Sequence, residues 1–109
     1  MVKSVFVMGG ERGLESAGRR RLVARFEGHV QGVGFRFTTV QIAVRFDITG
    51  YVQNLMDGDV SVVAEGTERE LLAFLDALRA SLIYRYVRQE RIHWMEATGE
   101  YAGFEVRYA

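Results

Sequence analysis

The chain has no cysteine, no proline, only two histidines and no excess charge of either sign. Without cysteine there is no disulfide framework, no thiolate nucleophile and no Cys-based zinc site, and the composition suits a reducing compartment. His29 and His93 stand too far apart in sequence to form a local metal motif. Fourteen basic and fourteen acidic residues cancel, so no net field draws a polyanion, and nucleic-acid binding would need local patches. No stretch approaches the ~20 apolar residues that span a bilayer, and Val5-Phe6-Val7-Met8 is too short for a signal-peptide core. These absences predict a cytoplasmic protein with neither a membrane nor a nucleic-acid partner.

What is present is enough for one domain. The 109 residues are 49% apolar, and a chain of this size buries roughly two thirds of its unfolded-state surface on folding. Met1 to Ala17 carries Gly9-Gly10, mixed charges and no helical period, so residues 1–19 are expected to form a flexible leader and 20–109 the domain.

From Leu22 to Val30 apolar residues alternate with Val23, Arg25, Glu27 and His29, the period of two of a half-buried strand. Phe35, Thr39, Ile42, Ala43 and Phe46 then recur at helical spacing, which predicts a helix from Phe35 to Phe46. Tyr51 to Leu55 and Val60 to Glu65 flank Met56-Asp57-Gly58-Asp59, a hairpin whose Asp-Gly supplies positive φ. Thr67 and Glu70 have the spacing of a capping box ahead of the Leu71, Leu72, Phe74, Leu75, Leu78 and Leu82 stripe, which predicts a second helix from Thr67 to Ala80. Val87 to Glu96 and Phe104 to Tyr108 read as closing strands. The order βαββαβ predicts an α+β, ferredoxin-like sandwich: an antiparallel sheet of four to five strands with both helices on one face.

The segment richest in chemistry is Gly28-His29-Val30-Gln31-Gly32-Val33-Gly34-Phe35-Arg36, followed eighteen positions later by Asn54. A glycine-spaced turn that brings an arginine to a helix start can seat a phosphate, because backbone N–H groups, helix dipole and guanidinium act on one anion. Arginine's planar fork can hold two phosphate oxygens at once. The plainer reading is an ordinary turn and a helix-start arginine, although a cation there opposes the dipole. The spacing matches neither a Walker A loop nor a dinucleotide fingerprint, so nucleotide binding is unsupported. Asn54 either caps the hairpin or uses its amide to orient a water, since it can accept and donate at once. Asp57 and Asp59 read as turn residues, with no carboxylate cluster for magnesium. His29, His93, Trp94 and Tyr101 read as surface or packing residues. Strands in this order also build RNA-recognition modules, but Val60 to Glu65 carries no stacking ring.

These residues resemble the acylphosphatase family from about Arg20 to Tyr108. The likeness rests on the Gly28 to Arg36 segment, Thr39, Ala43, Gly50-Tyr51-Val52-Gln53-Asn54, Asp57-Gly58-Asp59-Val60, Glu65-Gly66, Trp94 and Thr98-Gly99-Glu100-Tyr101-Ala102-Gly103-Phe104. The resemblance implies a small ferredoxin-like enzyme that hydrolyses a small-molecule acyl phosphate to a carboxylate and inorganic phosphate, with no metal and no other cofactor; a monomer is expected. It implies that Arg36 binds the phosphate with the backbone amides of Gln31, Gly32, Val33, Gly34 and Phe35, and that Asn54 holds the attacking water. The alternative is a non-catalytic module that binds a phosphorylated ligand or protein; similar domains stand at the head of hydrogenase-maturation carbamoyltransferases. Two positions depart from the family pattern: Ser81-Leu82 replaces the usual Gly-Pro, and Glu90 stands where an apolar strand residue is usual. No acyl pocket is recognisable in the sequence, so the acyl group of the substrate is left open.

Overall fold

The computed structural model describes residues 18–108. The leader expected over 1–19 therefore lies, up to residue 17, outside the described residues. The elements are β1 (Arg20–Gly28), α1 (Phe35–Ala43), β2 (Ile48–Asn54), β3 (Val60–Gly66), α2 (Glu68–Arg79), a 3₁₀ turn (Leu82–Tyr86), β4 (Val87–Glu96) and β5 (Phe104–Arg107). Among the described residues the strands form one five-stranded sheet in the order β4-β1-β3-β2-β5.

Two split βαβ units interlock to give this order. α1 carries the chain from β1 over β3 to β2, and α2 carries it from β3 over β1 to β4, so each intervening strand pairs antiparallel with both neighbours. The sheet is mixed rather than antiparallel throughout, because β5 pairs parallel with β2. The reason lies in the connection. After β4 the chain crosses the end of the sheet through residues 97–103 to the opposite edge, and it re-enters running against β4 and hence along β2.

Glu65 anchors that crossing. Its carboxylate is fully buried on the central strand β3. It accepts from the backbone N–H groups of Thr98 and Gly99, each at 2.9 Å, and from Arg21 Nε at 2.7 Å. Burial by itself raises the Glu65 pKa, but the two amides and the guanidinium more than offset it and hold the carboxyl below its ordinary value.

The alternation seen in the sequence becomes the core. Leu22, Ala24 and Phe26 of β1, Val52 of β2 and Val60, Val62 and Ala64 of β3 face Phe35, Ile42 and Ala43 of α1 and Leu71, Phe74, Leu75 and Leu78 of α2. Burying each large side chain here contributes about 1.5–3 kcal/mol. Phe26 and Phe35, at ring centroids 5.4 Å apart, tie the strand before the glycine loop to the helix after it.

Both helices differ from expectation in their bounds. α1 ends at Ala43 rather than Phe46, because Arg45 and Phe46 donate back only three residues, to Ile42 and Ala43. Phe46 keeps its apolar role from this turn by packing edge-on against Phe74. α2 begins at Glu68 with Thr67 as N-cap accepting from Glu70 N, yet the Glu70 carboxylate accepts from Asp47 N instead of completing the box. Glu90 pairs in register with Phe26 at the sheet edge and takes an ion pair from Arg79 and a hydrogen bond from the Tyr84 hydroxyl.

Candidate active site

The glycine loop leaves β1 where its register against β4 shifts, between Glu27 and Gly28. Val30 drops fully into the core, which pins the middle of the loop. Gly34 is the N-cap of α1 at φ 84°, ψ 18°, a left-handed conformation that a Cβ would disfavour by about 1–2 kcal/mol. No side chain caps the helix and no acidic residue lies in its first turn. The first backbone bond of the helix is Thr38 N to Gly34 O, at 3.0 Å, so the amides ahead of it have no helical carbonyl to bond. Arg36 stands among them. Unpaired amides, helix dipole and guanidinium make this end of α1 a seat for an anion.

Asn54 comes from the last position of β2, cross-strand from Val60. It shares the phase of Val52, whose side chain is fully buried on the helix-bearing face. Its Oδ1 is buried and has no hydrogen-bond partner within the described protein. An unpaired buried acceptor costs about 1–3 kcal/mol, and an uncompensated polar group calls for a specific reason.

Side chains brace the loop to the β2–β3 hairpin. Gln31 Nε2 donates to the carbonyls of Leu55 and Asp59, each at 2.8 Å. Arg25 on β1 holds the same hairpin through Asp59, at 2.7 Å, and Asp57. The Asp57 carboxyl is held below its ordinary pKa, first by the backbone N–H of Asp59 and then by Arg25. Asp57 therefore serves the turn, as its sequence context suggested.

A cavity of about 230 Å³ opens where these parts meet. Of the residues singled out in the sequence, it brings together Gly32, Gly34, Phe35, Arg36 and Asn54. Gln31 and Val33 are not in its lining: Gln31 turns to the hairpin, and Val33 packs against the core. His29 and His93 are exposed and outside the lining. Among the described residues no three His, Asp or Glu side chains gather as a metal site.

The lining also contains residues the sequence reading passed over, chiefly Phe37, Val106 and Tyr108. The Tyr108 ring lies 5.2 Å from the Arg36 guanidinium carbon, within cation–π range. One signal was available for Phe37, an aromatic beside Arg36 that falls off the Phe35, Thr39, Ile42 stripe. Tyr108 gave no comparable signal, because its place depends on the parallel seating of β5.

Fold and site together define an α+β domain that presents an uncapped helix N-terminus and an arginine in one cavity. The sequence profile of the Acylphosphatase family matches residues 22–106. An acylphosphatase of Caldanaerobacter subterraneus subsp. tengcongensis is 40% identical over 82 residues, spanning 75% of this chain and 91% of that protein. The crystal structure of acylphosphatase from Bacillus subtilis superposes with a TM-score of 0.75 at 28% identity, covering 82% of this chain and 99% of the other. Full-length HypF in the phosphate- and nucleotide-bound form matches with a TM-score of 0.74 at 26% identity, over 82% of this chain but 12% of that one. The chain belongs to the acylphosphatase family.

Proposed function

We propose that the acyl phosphate hydrolysis of this family is carried out here by Arg36, Asn54 and the backbone amides from Gln31 to Phe35, without a metal or other cofactor. The phosphate oxygens lie against the amides at the start of α1 and the Arg36 fork, which hold negative charge as it redistributes in the transition state. The Asn54 amide orients a water in line with the bond to be broken. The water oxygen forms a bond to phosphorus, and the bond from phosphorus to the carboxyl oxygen breaks with its electron pair going to the carboxylate. One water proton passes to the phosphate. A carboxylate leaves readily near neutral pH, so no general acid is required, and neither histidine is given a role.

The observation that carries this reading is the unpartnered, buried Oδ1 of Asn54 in the same cavity as Arg36. Phosphate release from acetyl phosphate in the presence of a chelator tests it. Arg36→Ala and Asn54→Ala should each lose about a hundredfold or more in rate, the usual effect of deleting one preorganised contact. Parent turnover that both folded variants retain would overturn the assignment, and phosphate binding without turnover by the parent would make the domain a binding module.

On the same reading the enzyme is a cytoplasmic monomer. Its freedom from cysteine suits a reducing compartment, and light scattering at micromolar concentration tests the monomer, which a dimer mass would exclude.

A further inference from the structure

The cavity opens on the helix-bearing side of the sheet, and the opposite face holds a cation to which the hydrolytic reading gives no role. Arg25 lies between Ala24 and Phe26, both of which are in the core, so the alternation of β1 turns it to the other side. It is outside the cavity lining. Its Nε donates to Asp59 at 2.7 Å and its Nη2 donates to Asp57, so one planar fork spans two carboxylates of the β2–β3 turn. The turn does not need an arginine to close. Leu55 N donates to Asp59 O at 2.8 Å, Gly58 N to Leu55 O at 3.2 Å and Asp59 N to the Asp57 carboxylate at 3.0 Å. Those bonds close the turn on itself, whereas Arg25 ties it to β1. Exposed ion pairs add little stability, but the Asp59 side chain is only 17% exposed, so its carboxylate is held in one place rather than left to water.

We propose that Arg25 is a positioning residue that aims Asn54 from behind the sheet, and so sets kcat without touching substrate. The route is short. Asp59 directly precedes Val60, the cross-strand partner of Asn54, and its carbonyl accepts from the N–H of Leu55, the residue after Asn54. Holding the Asp59 carboxylate therefore holds the rung on which Asn54 stands. Gln31 grips the Asp59 carbonyl from the glycine loop at 2.8 Å, so the two halves of one residue are held from two sides. Gln31 fixes the turn against the phosphate seat, and Arg25 fixes it against the sheet. Among the described residues Arg25 bonds only Asp57 and Asp59, and no member of the glycine loop. On the hydrolytic reading above, in which Asn54 aims the water while Arg36 and the loop hold the phosphate, loss of the Arg25 clasp misdirects the water and leaves phosphate binding intact.

The test measures kcat and KM for acetyl phosphate, and the inhibition constant of inorganic phosphate, in the parent, Arg25→Met, Arg25→Lys and Asp59→Ala proteins, and in Asn54→Ala with and without Arg25→Met. Arg25→Met and Asp59→Ala should each lower kcat about tenfold, as a displacement of less than about 1 Å does. KM and the phosphate constant should change by less than about twofold, the pattern of an interaction felt in the transition state alone. Arg25→Lys, with the charge but not the fork, should fall between. In the Asn54→Ala background Arg25→Met should lower kcat no further, because groups that act through one another are not additive. The side-chain amide resonances of Asn54 supply an arm that needs no turnover: Arg25→Met should shift them and leave the backbone amides of Gly32 and Gly34 in place. Parent kcat and unmoved Asn54 resonances in Arg25→Met, with Asn54→Ala still collapsing, would overturn the positioning role and leave the hydrolytic reading standing. Equal losses of kcat from Arg25→Met in the two backgrounds would also overturn it, since a merely structural role acts alike in both. A parent without turnover whose Asn54 resonances follow Arg25 would sink the hydrolytic reading and keep the clasp.

Discussion

The Gln31 side-chain amide spans from the glycine loop to the carbonyl of Leu55, 2.8 Å away, and so locks the loop to the strand end that carries Asn54. The same nitrogen also reaches the Asp59 carbonyl, so one side chain sets the distance between the two halves of the site. Gln31 is a positioning residue on this geometry. Gln31→Ala should lower kcat on acetyl phosphate by about tenfold to a hundredfold, since displacements of about 1 Å have effects of that size. The accompanying loss of stability should be only about 1–2 kcal/mol for two neutral hydrogen bonds. Kinetics alongside denaturant melts separate the two effects, and a stability loss with kcat intact would assign Gln31 to the fold alone.

Asn54 makes the opposite kind of prediction. Its buried Oδ1 has no protein partner, so deleting the amide removes a desolvated acceptor rather than a bond. Asn54→Ala should be as stable as the parent or more stable by up to about 1 kcal/mol, while its turnover collapses. A stability–activity trade-off of this sign marks a residue retained for function. Chemical denaturation at neutral pH checks it, and a loss of more than about 1 kcal/mol would show that Asn54 supports the hairpin after all.

How much of this was legible beforehand follows from which interactions are local. The Leu22, Ala24, Phe26 alternation and the α2 stripe carry their period in neighbouring residues, and the corresponding elements stand where that period puts them. Gly32, Gly34 and Arg36 are close in sequence, so their convergence was readable, and Asn54 was reachable through the family pattern. The parallel seating of β5 was not readable, because it depends on residues 97–103 crossing the whole sheet to meet Glu65, which sits over thirty positions earlier. Tyr108 inherits that difficulty. The early end of α1 escaped notice because Phe46 keeps its apolar phase while leaving the helix.

Glu65 turns that crossing into a pH dependence. Its folded-state pKa is depressed, so the stability it contributes is fully present above the unfolded glutamate pKa of about 4.3 and is lost as pH falls through the lower folded value. Thermal melts of the parent should therefore decline in acid, whereas Glu65→Gln should start lower at neutral pH and converge on the parent as the pH drops. Glu65→Ala, which leaves Arg21 Nε and the amides of Thr98 and Gly99 without their carboxylate, should lose about 3 kcal/mol. Parallel melting curves for the parent and Glu65→Gln across the acid range would exclude this role.

The glycines divide by what surrounds them. At Gly50, φ is 146° and an added Cβ would lie 1.8 Å from the carbonyl oxygen of Val63 on the adjacent central strand, so Gly50→Ala must push β2 away from β3. At Gly34 the backbone is also left-handed, but nothing lies within 4 Å of an added Cβ, and Gly34→Ala meets only backbone strain of about 1–2 kcal/mol. Gly50→Ala should therefore lose more than 3 kcal/mol or fail to fold, by analogy with severe overpacking. Gly34→Ala should fold, and its defect should fall on turnover, because relaxing that strain re-aims the amides at the start of α1. Hydrogen exchange on the folded Gly34→Ala protein, with acetyl phosphate kinetics beside it, distinguishes the two. Normal turnover in a Gly34→Ala variant whose loop exchanges like the parent's would mean that the left-handed cap serves the chain's path and not the phosphate.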